Sequence, residues 1–181
     1  MGSNVNALSR FITKTVTDSI TRPNDTTQYA VGDVIAEVTT NDHFLFEKVC
    51  QAPRYSGLVS TATIFSSANQ STKLDANLFL FAVDIGEDAD NATWTPTDAE
   101  LLTCLGVINF PAADWVAGNV ALGAGGNAMC QVRNIGLTFK NSKNASYDDN
   151  RGVLYGVLVA NNTYTPVANE VLTISLGFSE D

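Results

Sequence analysis

Six consecutive residues, Leu78-Phe79-Leu80-Phe81-Ala82-Val83, are apolar at every position. A run this short, bounded by polar segments, reads as a strand covered on both faces. Such a strand needs a neighbour on each side and a layer above and below. The rest of the chain supplies the material. Its 181 residues include 17 Val, 8 Ile and 19 Thr, whose β-branched side chains fit a pleated surface better than a helix. Only 5 Lys and 5 Arg are present, whereas 17 Asn and 13 Gly furnish turns. A β-rich chain of this length forms one domain.

Alternation and turn residues predict strands at 16–20, 34–38, 44–49, 57–65, 78–83, 107–110, 128–132, 135–139, 152–160 and 171–178. In the first, Val16, Asp18 and Ile20 share a face. In the third, Phe44 and Phe46 do. In the fourth, Leu58, Ser60, Ala62 and Ile64 do. Arg22-Pro23-Asn24-Asp25-Thr26 and Val31-Gly32-Asp33 are turns. One short helix is signalled near residue 98, capped either by Thr95 before Pro96 or by a Thr97–Glu100 capping box. Leu101, Leu102 and Leu105 would form its apolar side, and Gly106 would end it. Strands do not alternate with helices, and there is no internal repeat. The expected fold is all-β: an antiparallel two-sheet sandwich with one short helix, jelly roll first among the candidates.

Charge and cysteine usage narrow the function. A net charge of −9 is repelled by phosphate backbones, and no basic stripe offsets it, so nucleic acid is not an expected partner. No 18-residue apolar stretch crosses a membrane. No signal peptide is evident, so synthesis and use without secretion are expected. The Asn91, Asn144 and Asn161 glycosylation triplets then read as products of composition. Cys50, Cys104 and Cys130 are widely spaced and lie among apolar residues, which suits buried free thiols rather than a zinc site or disulfides.

No catalytic constellation emerges, and no cofactor is implied. His43, the one histidine, falls in a turn, and there is no Gly-x-Ser-x-Gly elbow. Gly123-Ala124-Gly125-Gly126 lacks the Lys and the following helix of a phosphate loop and reads as a flexible loop. Asp84, Glu87, Asp88, Asp90 and Asn91 could offer oxygens to calcium, but their spacing matches no EF-hand and a solvated acidic loop is the plainer account. Trp94, Trp115, Tyr55, Tyr147 and Tyr164 could stack on sugars, although core packing is the default. Whether two carboxylates stand at glycosidase spacing is a three-dimensional matter.

Three stretches carry a resemblance. They are Thr21-Arg22-Pro23-Asn24-Asp25-Thr26-Thr27-Gln28-Tyr29-Ala30-Val31-Gly32-Asp33-Val34-Ile35; Leu78-Phe79-Leu80-Phe81 with Asp90-Asn91 and 94–102; and 154–159 with Tyr164-Thr165-Pro166-Val167-Ala168-Asn169-Glu170. In this order they resemble tailed-bacteriophage structural proteins, small virion components that include capsid decoration (cement) proteins. The resemblance spans most of residues 17–178 and implies a non-enzymatic protein made in the host cytoplasm and carried on the capsid exterior. Its implied partners are the major capsid protein and further copies of itself, as a homotrimer or else a dimer. A carbohydrate-binding or tail-fibre module contacting the host is the competing class.

The first 24 residues hold Arg10, Lys14 and Arg22 against one acid, Asp18. Residues 1–15 are expected to form an arm ahead of a domain over 16–181. In that account Leu8, Phe11, Ile12 and Val16 are apolar anchors for a capsid or neighbouring subunit, and Arg10, Lys14 and Arg22 find carboxylates there.

Overall fold

The computed structural model describes residues 12–37, 43–50, 56–86, 88–140 and 152–180; nothing is said of the side chains of Ile12 and Glu180. Ten strands form two sheets. In chain order they are β1 (Ile12–Thr21), β2 (Val34–Ile35), β3 (Phe44–Glu47), β4 (Ser56–Ser66), β5 (Ala76–Phe81), β6 (Cys104–Phe110), β7 (Val116–Asn119), β8 (Asn127–Lys140), β9 (Val153–Ala160) and β10 (Val171–Glu180). Helix α1 (Asp98–Leu101) and a 3-10 turn (Ala112–Asp114) lie in the connections.

Sheet I has the order β1-β10-β4-β8-β7. Sheet II has the order β2-β9-β5-β6, and β3 also pairs with β9. Every strand pair is antiparallel. The pairing is nested along the chain: β1 with β10, then β2 and β3 with β9, then β4 with β8, then β5 with β6. Successive nested pairs fall on sheets I, II, I and II.

The two sheets pack face to face over one core. Sheet I contributes Ile20, Val59, Ala62, Ile64, Cys130, Leu172, Ile174, Leu176 and Phe178; sheet II contributes Phe44, Phe46, Leu78, Leu80, Ile108, Phe110, Leu154 and Leu158. Gly156 in β9 makes this possible locally. A Cβ there would stand 2.9 Å from Leu78 and 3.0 Å from Phe46, so the missing side chain lets these residues close over the strand. The expected central strand is β5, hydrogen-bonded to β9 and β6.

Several local expectations change. The 128–132 and 135–139 segments are one strand, β8: its ladder to β4 skips residues 134–136, where Asn134 and Gly136 take positive φ, and resumes at the Leu137–Val59 pair. Against Gly177 and Phe178 of β10, β4 inserts one extra residue, Ser60. The extra residue flips the alternation, so Val59, rather than Leu58 and Ser60, joins Ala62 and Ile64 in the core. The helix cap is Thr97, in a full capping box with Glu100. Leu101 and Leu102 do not form a buried side; Leu102 is 87 % exposed, because four residues make barely one turn and the chain leaves directly for β6.

Candidate interaction surface

The outer face of sheet I is assembled from rows of cross-strand neighbours. One row runs Ser19–Thr173–Phe65–Met129–Val116, the next Thr17–Ser175–Thr63–Gln131, and the next Thr15–Gly177–Thr61–Arg133. Hydroxyls link the strands: Thr17 with Ser175 at 2.9 Å and Ser19 with Thr173 at 2.8 Å. Gln131 donates to Thr63 at 3.3 Å, and Arg133 donates to Gln131 at 2.8 Å. These rows contain no carboxylate and one cation, Arg133, on a chain of −9. At one corner Phe65, Met129 and Val116 lie side by side, exposed by 39 %, 40 % and 66 %. The face is therefore nearly neutral and partly apolar, and it suits protein contact.

The adjoining β7–β8 connection is held firmly, contrary to a flexible glycine loop. Asn69 and Gly123 form a two-bond backbone bridge, 3.1 and 2.9 Å. The Asn69 amide donates to the Asn119 and Ala121 carbonyls, both at 3.0 Å. A Cβ on Gly126 would stand 1.9 Å from the Ala121 oxygen, so only glycine fits that turn. The connection leads into β8, a strand, rather than the helix a phosphate loop needs.

The outer face of sheet II is covered over β2, β9 and β5, while Val107 of β6 stays 50 % exposed. Val34, Ala36, Phe81, Val157 and Val159 form a second apolar cluster, overlaid by Phe79, Ile85, Trp94, Cys104 and Tyr155. Trp94 lies on Phe79 with ring centroids 4.1 Å apart. Backbone bonds hold the covering loop in place: Val34 to the Ala92 carbonyl, 2.8 Å; Asn91 to the Val34 carbonyl, 2.9 Å; Trp94 to the Gly32 carbonyl, 2.9 Å. Of the segment read as an acidic, solvated loop, Asp84 is exposed, whereas Ile85 and Trp94 pack on this cluster, so the 91–94 end serves as a lid. Asp90 points inward, and among the described residues no three metal-binding side chains converge.

Asp90 belongs to a buried polar cluster with Arg22 and Tyr29. Arg22 is fully buried; its Nη2 meets Asp90 at 3.1 Å and its Nε donates to the Tyr29 hydroxyl. Tyr29 donates to Asp90 Oδ1 at 2.6 Å, and the Ala36 N–H donates to the same oxygen at 3.1 Å, while Arg22 holds the other. Nearby, fully buried Glu170 accepts from Ser66 at 2.5 Å and Tyr164 at 2.7 Å. Burial pushes the Tyr29 hydroxyl far above its ordinary value despite Arg22. Burial, reinforced by the Glu170 charge, does the same to Tyr164. The residues of the most distinctive sequence stretch therefore hold the fold together.

This corrects the arm account at several residues. Arg22 cannot reach a partner's carboxylate, because its charge is already paired inside the chain. Residues 12–15, assigned to the arm, open β1, since each pairs with a residue of β10. Lys14 donates to the Lys48 carbonyl, and Asp18 accepts from the Leu45 N–H at 2.6 Å. Both close the gap between β1 and β3 across the sandwich. Val16 packs on the chain's own core. Leu8, Arg10 and Phe11 lie outside the described residues, and Ile12 is placed only as the first residue of β1.

The remaining candidates do not converge. His43 accepts from the Asp88 N–H at 3.2 Å. Trp115 donates to the Leu74 carbonyl at 2.6 Å and packs on the main core, Tyr164 is buried, and Trp94 belongs to the cover of sheet II. Tyr55 and Tyr147 lie outside the described residues. The three cysteines are free thiols; burial pushes Cys130 up to about 11. No helix among the described residues is long and apolar enough to cross a membrane. Phe65, Met129 and Val116 were not singled out in the sequence. They come from three separate strands, and the one available signal was Phe65, an aromatic out of phase with buried Ile64. No protein-family model matches the chain, and a search of curated proteins finds no match.

Proposed function

We propose that this chain is a non-enzymatic structural protein of a tailed-bacteriophage particle, a capsid decoration protein that binds the major capsid protein from outside and stabilises the shell. The observation that carries the reading is the uncovered, nearly neutral outer face of sheet I with its Phe65–Met129–Val116 corner. An acidic protein that must approach another protein surface does so best through a face free of carboxylates. The sequence resemblance of the 21–35, 78–102 and 154–170 stretches supplies the particle. The nested strand pairing, wound alternately onto sheets I and II, supports a jelly roll, an architecture used in virus capsids.

Mechanistically, a protein that binds the expanded shell and not its precursor stabilises the expanded state by mass action. Repetition over the lattice multiplies modest contacts. The chain would be made in the host cytoplasm and end on the capsid exterior. Co-sedimentation with expanded and unexpanded empty shells of the encoding phage tests this. Saturable binding to expanded shells, with a raised disruption temperature, is expected. Absence of binding to either shell, or electron-microscope labelling on the tail, would overturn it.

A further inference from the structure

Strand β7 differs from every other strand among the described residues. Val116, Ala117, Gly118 and Asn119 are all exposed, so neither face of the strand is buried. A strand of a two-layer sandwich ordinarily buries alternate residues. The exposure continues through Val120, Ala121 and Leu122. Val120 is 88 % exposed and Leu122 68 %. β7 pairs only with β8, through Val116–Met129, Ala117–Ala128 and Asn119–Asn127. The β7–β8 hairpin therefore stands clear of the core as an apolar projection.

Residues 115–132 carry no charge, although 16 % of the chain is charged. The projection is also fixed in shape. The backbone bridge to Asn69 and the Asn69 amide hold its tip from below. Within the hairpin, the Asn119 amide donates to the Gly125 carbonyl at 3.2 Å, and its Oδ1 accepts from the Ala121 N–H at 3.1 Å. Aliphatic side chains displayed on a fixed backbone lose little freedom when a partner covers them.

We infer that Val120 and Leu122 are the insertion anchors of the docking face: they enter an apolar socket on the major capsid protein, in a surface that is basic around the socket. The inference rests on the capsid reading and deepens it. Val116 belongs both to the hairpin and to the Phe65–Met129–Val116 corner, so the projection continues that face. Charge selects the occupant. A second copy brings a further −9 and is repelled, as are nucleic acid and an anionic membrane. A protein surface that is apolar at the contact and basic around it attracts the acidic body while it accepts the uncharged tip. Buried anchors of this kind carry most of the energy of an interface.

Co-sedimentation of the full chain with expanded capsid shells tests it. The double variant Val120→Ser/Leu122→Ser should bind at least about tenfold more weakly, with a melting temperature near wild type because both positions are exposed. Val120→Ser alone should bind about threefold more weakly and decides the matter if the double variant folds poorly. Val120→Ile/Leu122→Met keeps the tip apolar and should bind as the wild type does. So should Leu102→Ser, which removes an 87 % exposed leucine elsewhere on the surface. Wild-type binding should weaken as salt rises, because salt screens the attraction. A wild type that binds no shell overturns both this inference and the capsid reading. A wild type that binds, with the double variant within about twofold of it, overturns the inference alone. Equal weakening by Leu102→Ser, or tighter binding at high salt, does the same. Self-association in sedimentation velocity, or flotation with phosphatidylcholine vesicles, that the double variant loses while its shell binding is unchanged would reassign the tip to a second copy or to lipid.

Discussion

The two sheets share one core but treat their outer faces in opposite ways. Sheet II is overlaid by the 82–97 connection, whose Trp94, Ile85 and Asp90 are spent on packing and on pairing Arg22. Among the described residues sheet I has no such cover on its rows of Ser, Thr and Gln, and it displays Phe65, Met129 and Val116. The strands record the difference. β9 is buried at all but one position, whereas β8 alternates along its first half and stays largely open. An outer face is therefore not a free face. The lid makes sheet II a structural layer, and sheet I is left as the surface available to a partner.

The comparison breaks most easily where the lid is anchored. Asp90→Ala strips a fully buried Arg22 of its close carboxylate, because Asp25 stands 3.9 Å away and is half exposed. Leaving a buried charge unpaired costs about 3–5 kcal/mol, and urea denaturation should show a loss of that order. A loss below about 1 kcal/mol would mean that the cluster is not structural.

Alkaline pH should act on the same end of the molecule. Tyr29 and Tyr164 have folded values well above the ordinary 10.0. The sign follows from proton counting. Below 10 both states hold the proton and the stability is fully present. Above it the unfolded chain releases two protons that the folded chain keeps. Stability should then fall by up to about 2.7 kcal/mol per pH unit. Tyr29→Phe should lower the slope by up to about 1.4 kcal/mol per pH unit in denaturation curves taken between pH 10 and 11; an unchanged slope would contradict burial as the cause. Trp94→Ala, which uncovers Phe79 on sheet II, should cost about 2 kcal/mol, less than a fully buried tryptophan. An unchanged melting temperature would remove the distinction between a covered and an open face.

Much of this architecture was legible in the sequence, for physical reasons that differ by element. β5 and β9 read clearly because strands covered on both faces are apolar along most of their length. β10 read clearly because one buried face imposes strict alternation. The capping box of α1 was visible because its partners are three residues apart. What escaped were effects of distance. The bulge at Ser60 shows only in the pairing, where β4 has one residue more than β10 and β8 has more than β4. The turn at Arg22 was evident, but its carboxylate partner lies 68 positions away in a loop that looked solvated. Lys14 and Arg22 looked like docking charges because their spacing gives no hint of burial. The Phe65–Met129–Val116 corner exists only once β4, β8 and β7 lie side by side.

The most direct test charges the open face while leaving the covered one intact. Met129→Lys and Phe65→Lys place a cation on exposed positions of sheet I, where the cost in stability should stay within about 0.5 kcal/mol. Binding of these variants to expanded capsid shells should be measured by co-sedimentation, with Val107→Lys as a variant at a different surface. The account predicts that both sheet I variants bind at least about tenfold more weakly, as expected for charged substitution at a desolvated contact. Val107→Lys, on sheet II, should bind as the wild type does. Equal affinity for wild type, Met129→Lys and Phe65→Lys would contradict the assignment of sheet I as the docking face.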